Sequence, residues 1–414
     1  MHSHRLSPSR RLAARAALIA AFAATPVAML GATAHAGIQG SDLAAGTVSV
    51  TFTPGDADGG GIFRPGVLSV TGDEANNAVT VSQSGNQVTV VGRDGQNVHA
   101  VGGGSCSTAS DGGAVTCTVD VNSPVHIDMR GGYDSLLVTN LTLDSFLGVE
   151  MGSGDDSLDL LQTEMPSTLS GGMGDDRLRG GIGDDTFLAE AQADGADEME
   201  GLQGADTVSY ANRSDRVIVD LNGQQLSGAA GEGDRVLHIE NAYGGSGNDW
   251  LIGVQMDPMD PTSGQRANNV LHGGGGSDLL QGGNAIPGAD PNLDGSDTLF
   301  GGSGNDTVSY GYRTDGVSVD PDNVADDGRA GENDNVRSDV ENITGGAGND
   351  SLSGRSGVSN RLVGGGGADD LDGFDGDRLD ILDGGTQAAG TKDVCHVDYP
   401  GDRAFSCEIV RNNR

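Results

Sequence analysis

Residues 171–188 read GGMGDDRLRGGIGDDTFL, one nine-residue phrase written twice, as GGMGDDRLR and GGIGDDTFL, with nothing between the copies. Each copy sets two glycines, a spacer, a third glycine, a spacer and an aspartate ahead of one large apolar residue flanked by spacers. Paired glycines let the backbone adopt positive φ and turn tightly, which directs carbonyl oxygens into the turn. The tail that follows is too short for a helical turn and reads as a three-residue strand whose middle side chain points inward. Turn and strand together make half a coil, so about eighteen residues should close one coil and stack it on the next. Asp176 and Asp185 then fall on opposite sides of that coil.

Outward from this stretch the GGxGxD core recurs intact at 171–176, 180–185, 244–249, 273–278, 301–306, 345–350 and 364–369. In every copy an apolar residue stands two places after the aspartate: Leu178, Phe187, Leu251, Leu280, Val308, Leu352 and Leu371. Degenerate copies lie between. Residues 151–159 (MGSGDDSLD) lack the first glycine, 201–209 (GLQGADTVS) have Leu202 for the second, and Asp197 with Met199 and Asp297 with Leu299 keep the end of the unit. Asn269 and Asn360 put an amide in the aspartate's place, ahead of Leu271 and Leu362. A longer repeat is superposed on the short one: 206–253, beginning DTVSYANRSD, aligns with 306–354, beginning DTVSYGYRTD. Both run through an acid-rich turn to a Glu-Asn pair (Glu240-Asn241, Glu341-Asn342) and a fresh nonapeptide. These pairs are expected to bond turn amides, with cation ligation as the alternative.

A coil with one inward apolar residue per side has a thin core, which stacking alone should not hold. Carbonyl oxygens and carboxylates converging at turns form a six-to-eight-oxygen cage suited to calcium, whereas magnesium demands a smaller, stricter octahedron. An acidic glycine-rich linker would not keep an apolar residue at a fixed offset from each aspartate. A phosphate-binding loop would need a following Gly-Lys-Ser/Thr, and none occurs. A solenoid without metal is the remaining alternative.

The nonapeptides resemble those of the RTX family, the repeats-in-toxin calcium-binding parallel β-roll proteins, from Met151 to about Asp380. The resemblance implies an all-β fold, a right-handed parallel β-roll with calcium in rows between turns. By the same match Asp176, Asp185, Asp249, Asp278, Asp306, Asp350 and Asp369 are carboxylate ligands, joined from the degenerate copies by Asp156, Asp197, Asp206 and Asp297. The turn glycines implied to offer carbonyls are Gly171, Gly172, Gly174, Gly180, Gly181, Gly183, Gly244, Gly245 and Gly247. In the later copies they are Gly273, Gly274, Gly276, Gly301, Gly302, Gly304, Gly345, Gly346, Gly348, Gly364, Gly365 and Gly367.

Composition fits an unusual regular fold: of 414 residues 71 are glycine, only 4% are aromatic, and the formal charge is −37. Residues 1–36 read as an export signal, with Arg5, Arg10, Arg11 and Arg15, an apolar run to Leu30 and a small-x-small site at Ala34-His35-Ala36. A retained anchor is the alternative, opposed by Pro26 and Gly31 inside the run. Its removal takes away four arginines and no acid, leaving 19 basic against 60 acidic residues, a charge of −41. Such a chain repels nucleic acid and anionic membranes. It is expected to be secreted, with no membrane span after cleavage. Cys106 with Cys117 and Cys395 with Cys407 are two local pairs, read as disulfides closing short loops in an exported protein, with unpaired buried thiols as the alternative.

Residues 37–130 alternate Val, Leu and Phe with Thr and Ser and form a strand-rich amino-terminal module. The roll is expected over 131–385, and 386–414 as a disulfide-stapled cap. Asp290-Pro-Asn292-Leu-Asp294-Gly295 begins like an EF-type loop, but Gly301 stands where its bidentate acid belongs, so it reads as an insertion that lends Asp297 to the roll. No HExxH, GxSxG or CxxC occurs, and His99, His126, His238, His272 and His396 lie far apart, so no enzyme is expected. The reading is a secreted calcium-binding protein with a structural or adhesive role toward a cell surface or matrix. The alternative is a cytolysin or hydrolase whose active region lies in 37–130.

Overall fold

The computed structural model describes residues 46–55, 65–101, 105–255, 267–283, 294–373, 376, 379–386, 390–398 and 401–412. The export segment and Asp290 to Leu293 of the EF-like stretch lie outside the described residues. Among those described, every regular element is a strand and none is a helix, so no helix is long and apolar enough to cross a membrane. The chain is all-β and forms a parallel β-roll.

The opening nonapeptides show how the roll is laid down. Ser167–Met173 lies in a first sheet, the turn at 174–176 reverses the chain into Arg177–Arg179 of a second sheet, and Asp185–Leu188 returns to the first. Each strand pairs in parallel with its equivalent one coil on: Leu169 faces Phe187, which faces Val208, while Leu158 faces Leu178, which faces Met199. Side chains alternate across the pleat, so one residue per short strand turns inward. Leu169, Phe187 and Val208 thus meet Leu158, Leu178 and Met199 across a core one side chain deep, all of them buried. Stacked turn residues are separated by 18 residues between Ser167 and Asp185 and by 20 between Asp156 and Asp176, so the eighteen-residue coil is the short limit and longer links lengthen the rest.

The strands of residues 47–139 are the first rungs of the same two sheets. Val67–Thr71 pairs in parallel with Val125–Asp128, and Ala78–Ser84 with Ser135–Thr139. Beyond Ala78–Ser84 the second sheet continues antiparallel through Gln87–Gly92, Ala114–Thr118 and Cys106–Thr108. The disulfide between Cys106 and Cys117 joins the last two of these strands, and that between Cys395 and Cys407 ties down the final rungs.

The long repeat has a meaning that its sequence alone did not reveal. Among the described residues the roll is built from four sheets, of twelve, nine, nine and six strands. The second sheet ends at Arg235–Leu237, and a third has just begun at Val217–Asp220 through an antiparallel hairpin with Gly228–Ala229. The first sheet ends at Asn335–Val336, and a fourth has just begun at Val317–Val319 with its own hairpin partner, Gly328–Arg329. Each long repeat therefore hands the coil from one pair of faces to another.

Candidate metal centre

Within a turn the glycines are fixed by what approaches them. Gly302 has φ of +99°, and a Cβ there would overlap the carbonyl oxygen of Gly274 one coil earlier. At Gly301 the limit is different: a Cβ would lie 2.7 Å from Oδ2 of Asp306 and 2.6 Å from the carbonyl oxygen of Asp339. The bare α-carbon makes room for a carboxylate oxygen beside a carbonyl of the next coil. Gly171, Gly180, Gly244, Gly273, Gly345 and Gly364 stand in the same relation to Asp176, Asp185, Asp249, Asp278, Asp350 and Asp369.

The aspartates are buried and stacked in rows. In the first row Oδ1 of each accepts the backbone N–H of its predecessor one coil back. Asn77 donates to Asp134 at 2.6 Å, Asp134 to Asp156 at 2.7 Å, Asp156 to Asp176 at 2.8 Å, Asp176 to Asp197 at 2.9 Å and Asp197 to Asp234 at 3.0 Å. On the opposite side Ser167, Asp185 and Asp206 donate in turn to Asp185, Asp206 and Glu240. Along the third sheet the order is Val217, Asp249, Asp278, Asp306 and Glu341. Along the fourth it is Val317, Asp350, Asp369 and Asp393. Another short row joins Asn269, Asp297 and Asp334. The Glu-Asn pairs close rows: Glu240 and Glu341 take the N–H of Asp206 and Asp306, and Asn241 and Asn342 donate to the carbonyls of the same residues. They bond turn amides, as expected.

The second carboxylate oxygen divides the seven intact motifs in two. In Asp185, Asp249 and Asp350, Oδ2 accepts the N–H of the motif's own second glycine, Gly181, Gly245 or Gly346, at 2.7, 2.6 and 2.7 Å. These glycines adopt no positive φ. In Asp176, Asp278, Asp306 and Asp369, Oδ2 is buried with no hydrogen-bond partner, and the second glycine has positive φ. Oδ2 of Asp134, Asp156, Asp206 and Asp297 is likewise orphaned. The cause lies one coil away. Gly181, Gly245 and Gly346 pack on the carbonyls of Leu160 and Thr163, Tyr210 and Arg213, and Tyr310 and Arg313, which belong to turns without a nonapeptide. Gly274, Gly302 and Gly365 pack on glycine carbonyls of other nonapeptide turns.

An orphaned buried carboxylate oxygen is costly. Burial, reinforced by neighbouring carboxylates, pushes Asp134, Asp156, Asp176 and Asp278 up to about 7, and Asp197 and Asp206 up to about 8. Each such group calls for a proton or a cation. Carboxylate and carbonyl oxygens, all hard donors, converge at the turns, which is the donor set of calcium. The residues present therefore fit that ion.

Several row members carry no adjacent glycine motif. Asp134, Asp234, Asp334 and Asp393 are buried in rows, each with an apolar residue or cysteine two places on. That half of the motif was readable, but the intact GGxGxD is missing before each: GGYD stands at 131–134, GEGD at 231–234, GEND at 331–334 and GTKD at 390–393. Asp297 is an instance within the expected set: its partner glycine is Gly282, across the EF-like insertion. Asp294, from that insertion, is bound by Arg313 and Tyr312. The carboxylates of Asp320, Asp326 and Asp327 come within 4.8 Å of one another, but both oxygens of Asp327 hold N–H groups, of Asp320 and Val336. Among the histidines, His272 is stacked between Tyr243 and Phe300 at 4.3 and 3.9 Å, and burial lowers it to about 4.

Comparison with known families agrees with this geometry. The family model of the RTX calcium-binding nonapeptide repeat (4 copies) matches residues 170–208 and 338–358, and that of the peptidase M10 serralysin C terminal matches 200–337. No curated protein matches the chain. The chain carries RTX repeats, and such repeats bind several calcium ions. The serralysin match is to the C-terminal domain and not to the protease catalytic domain.

Proposed function

We propose that this is a secreted protein whose roll folds as calcium fills its turn rows, and that the folded roll serves as a rigid structural or adhesive spacer. The observation that carries the reading is the set of buried carboxylate oxygens left without a donor beside turn carbonyls. Asp156, Asp176, Asp206, Asp278, Asp297, Asp306 and Asp369 would hold calcium through Oδ2, with carbonyls of Gly171, Gly273, Gly301, Gly364 and their neighbours completing the cage. Asp185, Asp249 and Asp350, whose Oδ2 already holds a glycine N–H, would chiefly fix the turn.

With calcium scarce, as in a cell, the acidic chain repels itself and stays expanded. Outside, calcium near about 1 mM suits the weak sites of extracellular modules and stabilises only the folded state. The test is far-UV circular dichroism of the chain in chelator, then titrated with calcium, with magnesium as control. A cooperative gain of β signal with calcium alone is expected. A spectrum already complete in chelator would reject the reading.

A further inference from the structure

We infer that Arg213 and Arg313 are counter-ions built into the chain, each taking the place of a calcium ion at a rung where the roll exchanges one sheet for another. The inference rests on calcium filling the other rungs.

Both arginines are almost wholly enclosed, with side chains 2% and 1% exposed. Nη2 of Arg213 donates to Oδ1 of Asp194 at 2.7 Å and to Oε1 of Glu232. Nη2 of Arg313 donates to Oδ2 of Asp294 at 3.0 Å and to Oε1 of Glu332 at 2.6 Å. Asp194 and Glu232 belong to successive coils, and the N–H of Asp194 itself reaches Glu232 at 3.2 Å. The guanidinium thus bridges carboxylates of stacked turns, the task a divalent ion has in the rows. Each row alongside also ends there without an orphan: Oδ2 of Asp234 accepts the hydroxyl of Tyr210 at 2.7 Å, and Oδ2 of Asp334 that of Tyr310 at 2.9 Å. All these partners recur one hundred residues on, Asp194 as Asp294, Tyr210 as Tyr310, Arg213 as Arg313, Glu232 as Glu332 and Asp234 as Asp334.

The position explains the choice of cation. The carbonyls of Arg213 and Arg313 accept N–H groups of Ser246 and Ala347, both at 2.8 Å, so each arginine lies in the turn on which the next sheet's first nonapeptide is stacked. A free ion there would have a glycine turn on one side only. A planar guanidinium carried by the chain needs no second turn and holds two carboxylates through fixed donors. Thr163 is an internal control. It occupies the corresponding turn beneath Gly181 and Gly183, accepting the N–H of Ile182 at 2.8 Å, but no sheet is exchanged at that coil and no arginine is present.

The test uses the full chain and counts bound calcium by atomic emission after desalting from saturating calcium, with circular dichroism to confirm folding. Arg213→Ala and Arg313→Ala are each expected to bind one ion more than the parent, and Arg313→Lys to match it. Folded Ala variants with an unchanged ion count would overturn the inference, while a parent that binds no calcium would instead reject the reading beneath it. Hydrogen exchange of the parent at falling calcium gives a measure independent of variant folding. Residues 210–236 and 310–336, which carry the arginines and none of the proposed calcium ligands, should retain protection at a tenfold lower calcium concentration than residues 273–281. Loss of protection at the same concentration would also overturn the inference.

Discussion

Asp249 and Asp278 occupy the same letter of the same motif in adjacent coils, and replacing each by asparagine should fail in different ways. Asp249 is buried and holds two backbone N–H groups, Val217 on Oδ1 at 2.9 Å and Gly245 on Oδ2 at 2.6 Å. Asparagine offers one acceptor oxygen, so one buried donor would face an amide NH2. Losing a hydrogen bond to a charged group costs about 1.5–3 kcal/mol, and the stranded donor adds to that. Asp249→Asn should therefore lower stability by about 2–3 kcal/mol even at saturating calcium, with the number of bound ions unchanged. Asp278 holds one donor, Asp249 N–H on Oδ1 at 2.8 Å, while its Oδ2 is orphaned near the carbonyl of Gly301. Asparagine keeps the first bond and can donate to that carbonyl. What it loses is the anionic ligand, so Asp278→Asn should bind fewer calcium ions and fold at a higher calcium concentration. Urea unfolding in excess calcium and ion counting on the same samples separate the two. If Asp249→Asn loses an ion without losing stability, or Asp278→Asn keeps every ion, the division of the motifs is refuted.

Gly302→Ala, at φ +99° and against the carbonyl of Gly274, should cost at least about 1–2 kcal/mol from the left-handed backbone alone, and more from prising the coils apart. Gly275→Ala, whose Cβ would meet nothing nearer than Ser303 Oγ at 3.2 Å, should be close to neutral; equal thermal midpoints for the two would contradict this account. Leu280→Ala removes the only inward side chain of its short strand and should cost about 2–5 kcal/mol, measured by urea unfolding in calcium, with a loss under 1 kcal/mol arguing against a core one residue deep. The pH dependence should change sign with calcium. Folded carboxyls raised from 3.8 to about 7 (Asp134, Asp156, Asp176, Asp278) stabilise the calcium-free fold fully below the unfolded value, and this is lost as pH rises through about 7. In chelator the β signal should be larger at pH 5 than at pH 8; at limiting calcium, which only the ionised carboxylates bind, the order should reverse. A flat profile in chelator would mean that these groups are not buried as described.

The sequence by itself determined the strand, the turn and their stacking. The +2 apolar residue after each aspartate and the glycine pair before it are local requirements, imposed within nine residues by φ and by the pleat, so Leu178 and Phe187 could be placed inward and Asp176 and Asp185 on opposite sides. The family resemblance named the ion and the roll on the same local grounds. Whether a given aspartate keeps a free oxygen was decided only by tertiary structure, because GGxGxD reads identically at 244–249 and 273–278 while the turn stacked beneath each differs. Gly245 rests on Tyr210 and Arg213, Gly274 on Gly244 and Gly245, and these neighbours lie tens of residues away. The exchange of sheets at each long repeat, the buried Arg213 and Arg313, and the membership of Asp234 and Asp334 in the rows have the same origin. They depend on which coil an insertion brings alongside, a relation between rungs that no window of nine residues contains.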